Sequence, residues 1–321
     1  MSTTTNLQAW VHTLRFEAED IISIDLRPAD GMVFPAFEAG SHIDLHLPNG
    51  MVRSYSLSNS TTESQRYVVG VLKDRASRGG SRCVHEQLRV GLKLQISAPR
   101  NNFPLHEDAT HSVLVAGGIG VTPVLCMARR LKELGKSFEF VYLARSRKNA
   151  AFITDIEALG VPVTWHFDDE QGGPPNLTAL LGRRAVNASE HYYACGPAVM
   201  LDNFEKTCAT LGHTQAHIER FSAVEVAAAA DAKASFTVEL RASGKTFEVT
   251  PDTDLHKQLI ASGVFIPFSC EEGICGSCET RVIEGDVDHR DSVLTAAERA
   301  ANTVMMVCVS GCKSPRLVLD L

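Results

Sequence analysis

Cys270-Glu271-Glu272-Gly273-Ile274-Cys275-Gly276-Ser277-Cys278, with one more cysteine at Cys308, is a ligand pattern that few folds can hold. The spacing C-x4-C-x2-C with a distant fourth cysteine is that of plant-type [2Fe-2S] sites, where thiolates hold both irons. Gly273 and Gly276 would let backbone amides approach the sulfides. Zinc or free buried thiols are the competing readings. Zinc sites favour paired C-x2-C units, however, and here the first gap is four residues and the fourth ligand stands alone. Cys312, just past Cys308, reads as a bystander. The chain has nine cysteines in 321 residues, an odd total that fits no closed disulfide framework.

Outward from this loop, Phe236–Leu240 and Thr246–Val249 read as a hairpin around Ser243-Gly244. A helix at 254–261, strands near 279–283, 304–309 and 316–319, and a short helix near 295–301 complete a small α+β module. Ahead of it, 222–234 is alanine-rich and reads as a connector, either a short helix or a loose linker.

From Ser112 to Phe221 the texture is different. Apolar runs at 113–116, 138–143, 161–167 and 192–194 alternate with helical periods at 123–134, 151–159 and 197–211, which implies a parallel sheet with crossover helices. The first run enters Gly117-Gly118-Ile119-Gly120-Val121-Thr122-Pro123, which is G-G-x-G-x-T-P and not the G-x-G-x-x-G fingerprint. Its mechanics are similar. Glycines bring backbone amides near a diphosphate at a helix start, Thr122 can cap or bind phosphate, and Pro123 suits the first helical position. A second turn, Ala194-Cys195-Gly196-Pro197, also joins a strand to a helix. Carboxyl ends of strands form the ligand crevice of an open parallel sheet, so the two turns are expected to face one crevice. A plain tight turn and a structural buried Cys195 are the competing readings.

Residues 6–106 carry short alternating runs at 14–16, 21–26, 42–47, 67–73 and 92–96, separated by turns such as Pro48-Asn49-Gly50 and Asp30-Gly31. That is the texture of an antiparallel sandwich or barrel. Within it, Arg53-Ser54-Tyr55-Ser56 and Arg78-Gly79-Gly80-Ser81 offer guanidinium groups for phosphate, amides at a helix start, and an aromatic plane. On chemistry alone, a strand bearing Arg and Tyr is only a strand.

Composition bounds the function. With 44% hydrophobic and 21% charged residues the chain is an ordinary folded one, and its net charge of -7 argues against nucleic acid, whose phosphates need cationic contacts. No apolar run is long enough to span a bilayer, and the polar start at 1–9 has no export-signal pattern, so a cytoplasmic location is expected.

In chain order, Arg53-Ser54-Tyr55-Ser56, the turns at 117–123 and 195–197, and Cys270, Cys275, Cys278 and Cys308 resemble the phthalate dioxygenase reductase family of the ferredoxin reductase superfamily. The likeness covers essentially the whole chain, and three motifs in order are more specific than any one. It implies a multidomain protein: an FMN-binding antiparallel β-barrel over 1–107, an α/β parallel-sheet NAD(P) domain over 108–222, a linker at 223–234, and a plant-type [2Fe-2S] ferredoxin domain of β-grasp fold over 235–321. It implies an oxidoreductase that takes a hydride from NADH onto FMN and passes single electrons through the cluster to a Rieske non-haem iron oxygenase acting on aromatic compounds.

By the same resemblance, Arg53, Ser54, Tyr55 and Ser56 line the flavin, Val71, Leu72 and Lys73 run along one ring edge, and Arg78, Gly79, Gly80 and Ser81 bind its phosphate. Thr122 approaches the flavin from the nucleotide side, and Phe221 shields the ring near the nicotinamide; a core aromatic is the bland reading of Phe221. Gly118, Gly120, Pro123, Gly196 and Pro197 belong to the nucleotide, with Cys195 near the reacting carbon. Hydride transfer itself needs no general acid or base, so no catalytic residue is assigned. One departure stands out: Ala144-Arg145-Ser146-Arg147 lacks the acidic residue that would favour a free ribose hydroxyl. Arg145, Ser146 and Arg147 could admit the 2′-phosphate of NADPH, although NADH remains the expectation. Glu271 and Glu272 could form a docking rim, against the plainer reading of solvated charges. A reductase of a di-iron monooxygenase, a general diaphorase and a non-catalytic redox sensor are the rival functions; a monomer is expected.

Overall fold

A computed structural model describes residues 6–222 and 235–321. The chain divides into two compact units, Met1–Phe221 and Ser222–Leu321. The connector expected over 223–234 lies outside the described residues.

The first unit begins with strands β1 (Asn6–Ala18), β2 (Ile21–Pro28), β3 (Ser41–His46), β4 (Val52–Ser56) and β5 (Tyr67–Leu72), helix α1 (Gly80–Gln87), and strands β6 (Lys93–Ser97) and β7 (Arg100–Asn101). They form an antiparallel sheet in the order β4-β3-β6-β1-β2-β5, with β7 on β3. A bridge between Leu57, just past β4, and Val69 of β5 joins the two ends of that order, so the sheet curls into a barrel. Val11, Ile24, Leu26, Ile43, Leu45, Tyr67 and Ile96 fill its interior. The alternating run at 14–16 is one part of a 13-residue strand. Register shifts at Val11/Thr13 and Phe16/Ala18 break the period of two and hide its length.

Next come β8 (His111–Gly117), α2 (Val121–Glu133), β9 (Phe138–Ala144), α3 (Ile153–Glu157), β10 (Val163–Phe167), α4 (Asp168–Gln171), α5 (Leu177–Leu181), β11 (Glu190–Cys195), α6 (Ala198–Leu211) and β12 (Ala216–Glu219). All five strands are parallel in the order β10-β9-β8-β11-β12. The chain winds outward from β8 to β10 and returns to place β11 beside β8, so the switch point lies between β8 and β11. The helix expected over 151–159 shrinks to five residues, because Phe152 takes a left-handed φ of 60° and caps it.

The second unit has β13 (Phe236–Leu240), β14 (Thr246–Val249), α7 (Leu255–Ala261), β15 (Glu279–Glu284), β16 (Val287–Asp288), α8 (Ala296–Ala301), β17 (Val304–Met306), β18 (Gly311–Cys312) and β19 (Arg316–Leu319). Its five-stranded mixed sheet runs β14-β13-β19-β15-β17, with β13 and β19 parallel. That is the β-grasp arrangement. Leu255 and Leu259 of α7 pack in the core with Val238, Leu240, Leu317 and Leu319. The Asp254 carboxylate accepts the Lys257 amide at 3.2 Å and starts α7, and a reciprocal Thr295–Glu298 pair starts α8. The strand expected over 304–309 stops at Met306, and the chain turns to present Cys308. Among the described residues, no helix is long and apolar enough to cross a membrane.

Candidate functional site

In the second unit, Cys270, Cys275 and Cys278 are buried and Cys308 is half-buried. Cys270 stands against both Cys275 and Cys308, and Cys308 against Cys278, so the distant fourth cysteine joins the loop. Backbone amides of Glu272 and Ile274 donate to the Cys270 sulfur at 3.3 and 3.5 Å, the kind of contact that holds negative charge on sulfur. Glu271 and Gly273 adopt left-handed φ values of 56° and 68°, which folds the backbone around the sulfur. The Gly273 carbonyl accepts the Ser292 amide at 2.8 Å, tying the loop to the following segment. The neighbouring Cys270 and burial push the Cys275 thiol up, a strain that metal relieves by replacing the protons. The donor set fits an iron-sulfur cluster. Cys312 has different partners, the Asp286 carbonyl at 3.3 Å and Ser314 Oγ at 3.1 Å.

In the first unit, the glycine turn after β8 and the Cys195-Gly196-Pro197 turn after β11 meet at the switch point. A Cβ on Gly120 would fall 2.2 Å from the Cys195 carbonyl oxygen, so only glycine allows this approach. Helices α2 and α6 begin here, and neither has a side-chain cap; α2 continues a tight turn at Gly118–Gly120, and its Val121 amide donates to the Gly118 and Ile119 carbonyls. Helix α2 starts at Val121, two residues before the expected Pro123, which falls within the first turn where no amide is needed. Thr122 does not cap. Its hydroxyl donates to the Ile119 carbonyl at 3.2 Å, and its methyl group packs against Gly70 of β5, on the barrel side.

The residues proposed from the barrel gather on β4, β5 and α1. Helix α1 begins after Gly79, has no side-chain cap and carries no acidic residue in its first turn. Arg53 crosses that start so closely that a Cβ at Gly80 would lie 2.8 Å from its Cγ. Its guanidinium donates to the Val52 carbonyl at 2.7 Å and approaches the Met51 sulfur, and among the described residues no carboxylate pairs with it. An uncapped helix start beside such a guanidinium has the chemistry to hold a phosphate. Ser81 Oγ accepts the Asp74 amide at 3.2 Å, and Arg78 is exposed. Tyr55 packs against the barrel core, and burial pushes its hydroxyl up. Val71 is buried with its carbonyl 3.0 Å from His85 Nε2; Leu72 is exposed, and Lys73 pairs with Glu86 at 3.0 Å. Ser54 donates to Asp44 at 2.6 Å.

Sequence reasoning passed over Glu219. This last residue of β12 pairs in register with Cys195 and accepts a hydrogen bond from Ser56 Oγ of β4 at 3.1 Å. Burial raises its carboxyl to about 8, with the Ser56 bond opposing. Its carboxyl stands between barrel and sheet and holds its proton more firmly than an ordinary carboxyl does. Cys195 beside it is fully buried, and burial raises its thiol well above the usual range, so it packs rather than reacts. Phe221, two residues beyond Glu219, is 38% exposed and is not a core aromatic.

At the end of β9, Arg145 is exposed. Ser146 is buried with its hydroxyl donating to Asn149 at 2.6 Å, and the Arg147 guanidinium lies 4.8 Å over the Phe167 ring. The Ser146 hydroxyl is thus already committed. The arginines remain as the basic edge.

Residues 238–313, which include all four cluster cysteines, match the 2Fe-2S iron-sulfur cluster binding domain family. The chain is 44% identical to a vanillate O-demethylase oxidoreductase of Pseudomonas sp. (strain HR199 / DSM 7063), covering 98% of this chain and all of the relative. It is 43% identical to a phenoxybenzoate dioxygenase subunit beta of Ectopseudomonas oleovorans, over 97% of this chain and 96% of that protein. Among solved structures, a phthalate dioxygenase reductase described as a modular structure for electron transfer from pyridine nucleotides to [2Fe-2S] is 36% identical. It covers 98% of each chain with a TM-score of 0.72.

Proposed function

The chain belongs to the phthalate dioxygenase reductase family, and from that premise we propose that it is the NADH-dependent reductase of a two-component aromatic oxygenase or O-demethylase. The observation that carries this reading is one chain holding both a four-cysteine cluster loop and a two-turn nucleotide crevice beside a phosphate cradle. Bound flavin would supply the conversion of a two-electron hydride into single electrons that the cluster accepts.

The chain's own residues position and insulate. Arg53 and the start of α1 hold a phosphate; Ser54, Tyr55, Ser56 and the β5 edge at Val71, Leu72 and Lys73 frame a ring. The glycine turn at 117–120 and the uncapped start of α6 hold the dinucleotide. Glu219, oriented by Ser56 and with its proton held more firmly than usual, stands beside the Cys195 turn. Cys270, Cys275, Cys278 and Cys308 hold the irons. The short Arg78-Gly79-Gly80-Ser81 loop favours FMN over FAD. A domain plan of 1–107, 108–222 and 235–321 accompanies the proposal, as do a cytoplasmic location, a monomer, and a Rieske centre on the partner as acceptor.

An electron-transfer assay against aromatic-ring and O-demethylating oxygenases, with NADH and NADPH side by side, tests it. The expected result is NADH-driven product formation by a Rieske oxygenase. Purified protein without flavin, or turnover only with a di-iron monooxygenase, would overturn the reading.

A further inference from the structure

Three histidines absent from every motif above converge in the first unit. His106 lies on the segment between β7 and β8, His191 on β11 and His217 on β12. One ring nitrogen from each lies within 4.8 Å of the other two, the only such donor group among the described residues. The ring centroids stand 4.6, 4.9 and 5.1 Å apart. His191 Nδ1 and His217 Nε2 are 2.9 Å apart, and the Tyr193 hydroxyl accepts the His106 amide at 2.9 Å, which anchors the exposed His106 over the sheet.

We propose that His106, His191 and His217 form a binding site for a divalent first-row transition ion of the zinc type, distinct from the cluster and from the nucleotide crevice. The donor set is three imidazoles, which suits Zn²⁺ rather than Mg²⁺ or Ca²⁺. Zinc–nitrogen bonds of about 2.0–2.1 Å in tetrahedral geometry place nitrogens about 3.3 Å apart, so the His191–His217 pair opens by only a few tenths of an ångström. The exposed side of His106 leaves a fourth position for water, as in open His₃ sites. A metal ligand must be free of its proton.

The location gives the site its consequence. His191 and Cys195 lie four residues apart on β11, and His217 and Glu219 two apart on β12, so at about 3.3 Å per residue the ion sits roughly 7–13 Å back from the crevice. It would clip the segment leaving the barrel to the edge of the parallel sheet, stabilising the first unit without touching the reacting groups.

The test uses the holoprotein, flavin and cluster present, stripped of loose metal by a mild chelator. Equilibrium dialysis against Zn²⁺ is followed by elemental counting of zinc and iron. One zinc per chain is expected with iron content unchanged, together with a rise in Tm. His106→Ala, on an exposed side chain, and His217→Gln should each weaken zinc binding by about tenfold or more and abolish the rise in Tm, with flavin and iron retained. Equal zinc binding by wild type and His106→Ala, no zinc in either, or zinc gained only as iron is lost would each overturn the proposal.

Discussion

In the cluster loop, three of four ligands lie within residues 270–278 and the fourth arrives from the turn after β17. In the crevice, the working groups come from β4, the turn after β8, the turn after β11 and the end of β12, and the Ser56–Glu219 bond joins residues 163 apart in sequence. The loop relies on covalent donors whose identity is chemistry enough. The crevice relies on amides, a guanidinium and a half-buried acid, none of which means anything until packing brings them together. A local site is therefore lost by changing one ligand, whereas a distributed one is lost by disturbing an approach between segments.

The largest test separates the two regions. In Cys275→Ser protein, electron transfer to the oxygenase should fall to background and cluster absorbance should be lost, while flavin reduction by NADH in stopped flow persists within about twofold. Parallel loss of both rates would break the division into two sites.

Gly120→Ala is the converse. Its Cβ would meet the Cys195 carbonyl at 2.2 Å, so the two turns must separate. Overpacking costs about 1–3 kcal/mol, and a misplaced nucleotide should slow flavin reduction by about tenfold or more at unchanged cluster content. An unaltered rate would show that the approach of the turns does not serve the nucleotide.

A third test reads stability against pH. Burial pushes the Glu219 carboxyl up to about 8 in the folded chain, against about 4.3 when unfolded. Between those values the folded state binds the extra proton, so this contribution to stability is full below the lower value and lost as pH rises toward the upper one. Wild-type Tm should therefore fall more between pH 5 and pH 9 than that of Glu219→Gln, which also keeps a partner for Ser56. Parallel Tm curves would mean that the carboxyl is not held protonated.

What was legible followed the range of the interactions. The cysteine spacing, the two strand-to-helix turns and the core strands of the parallel sheet were readable, because ligand identity, glycine content and apolar runs are local signals. Helices α4 and α5 went unread because four or five residues make little more than one turn, too few to show a period. The true span of β1 was hidden by its bulges. Glu219 and the three histidines carried no signal, since an acid at a strand end or an isolated imidazole looks the same in the sequence whether buried beside a partner or facing water.

The sequence alone determined that this chain carries a cysteine loop of plant-type [2Fe-2S] spacing, two glycine-bearing strand-to-helix turns and a barrel-like first region, because each is specified by residue types at short spacing. Only the tertiary structure decided that Cys308 closes the cysteine set, that the two glycine turns share one switch point, and that the Glu219 carboxyl is pushed above the ordinary range. Those outcomes depend on which distant strands become neighbours and on how far water is excluded between them. Desolvation and close approach belong to the folded surroundings, and no single stretch of chain encodes them.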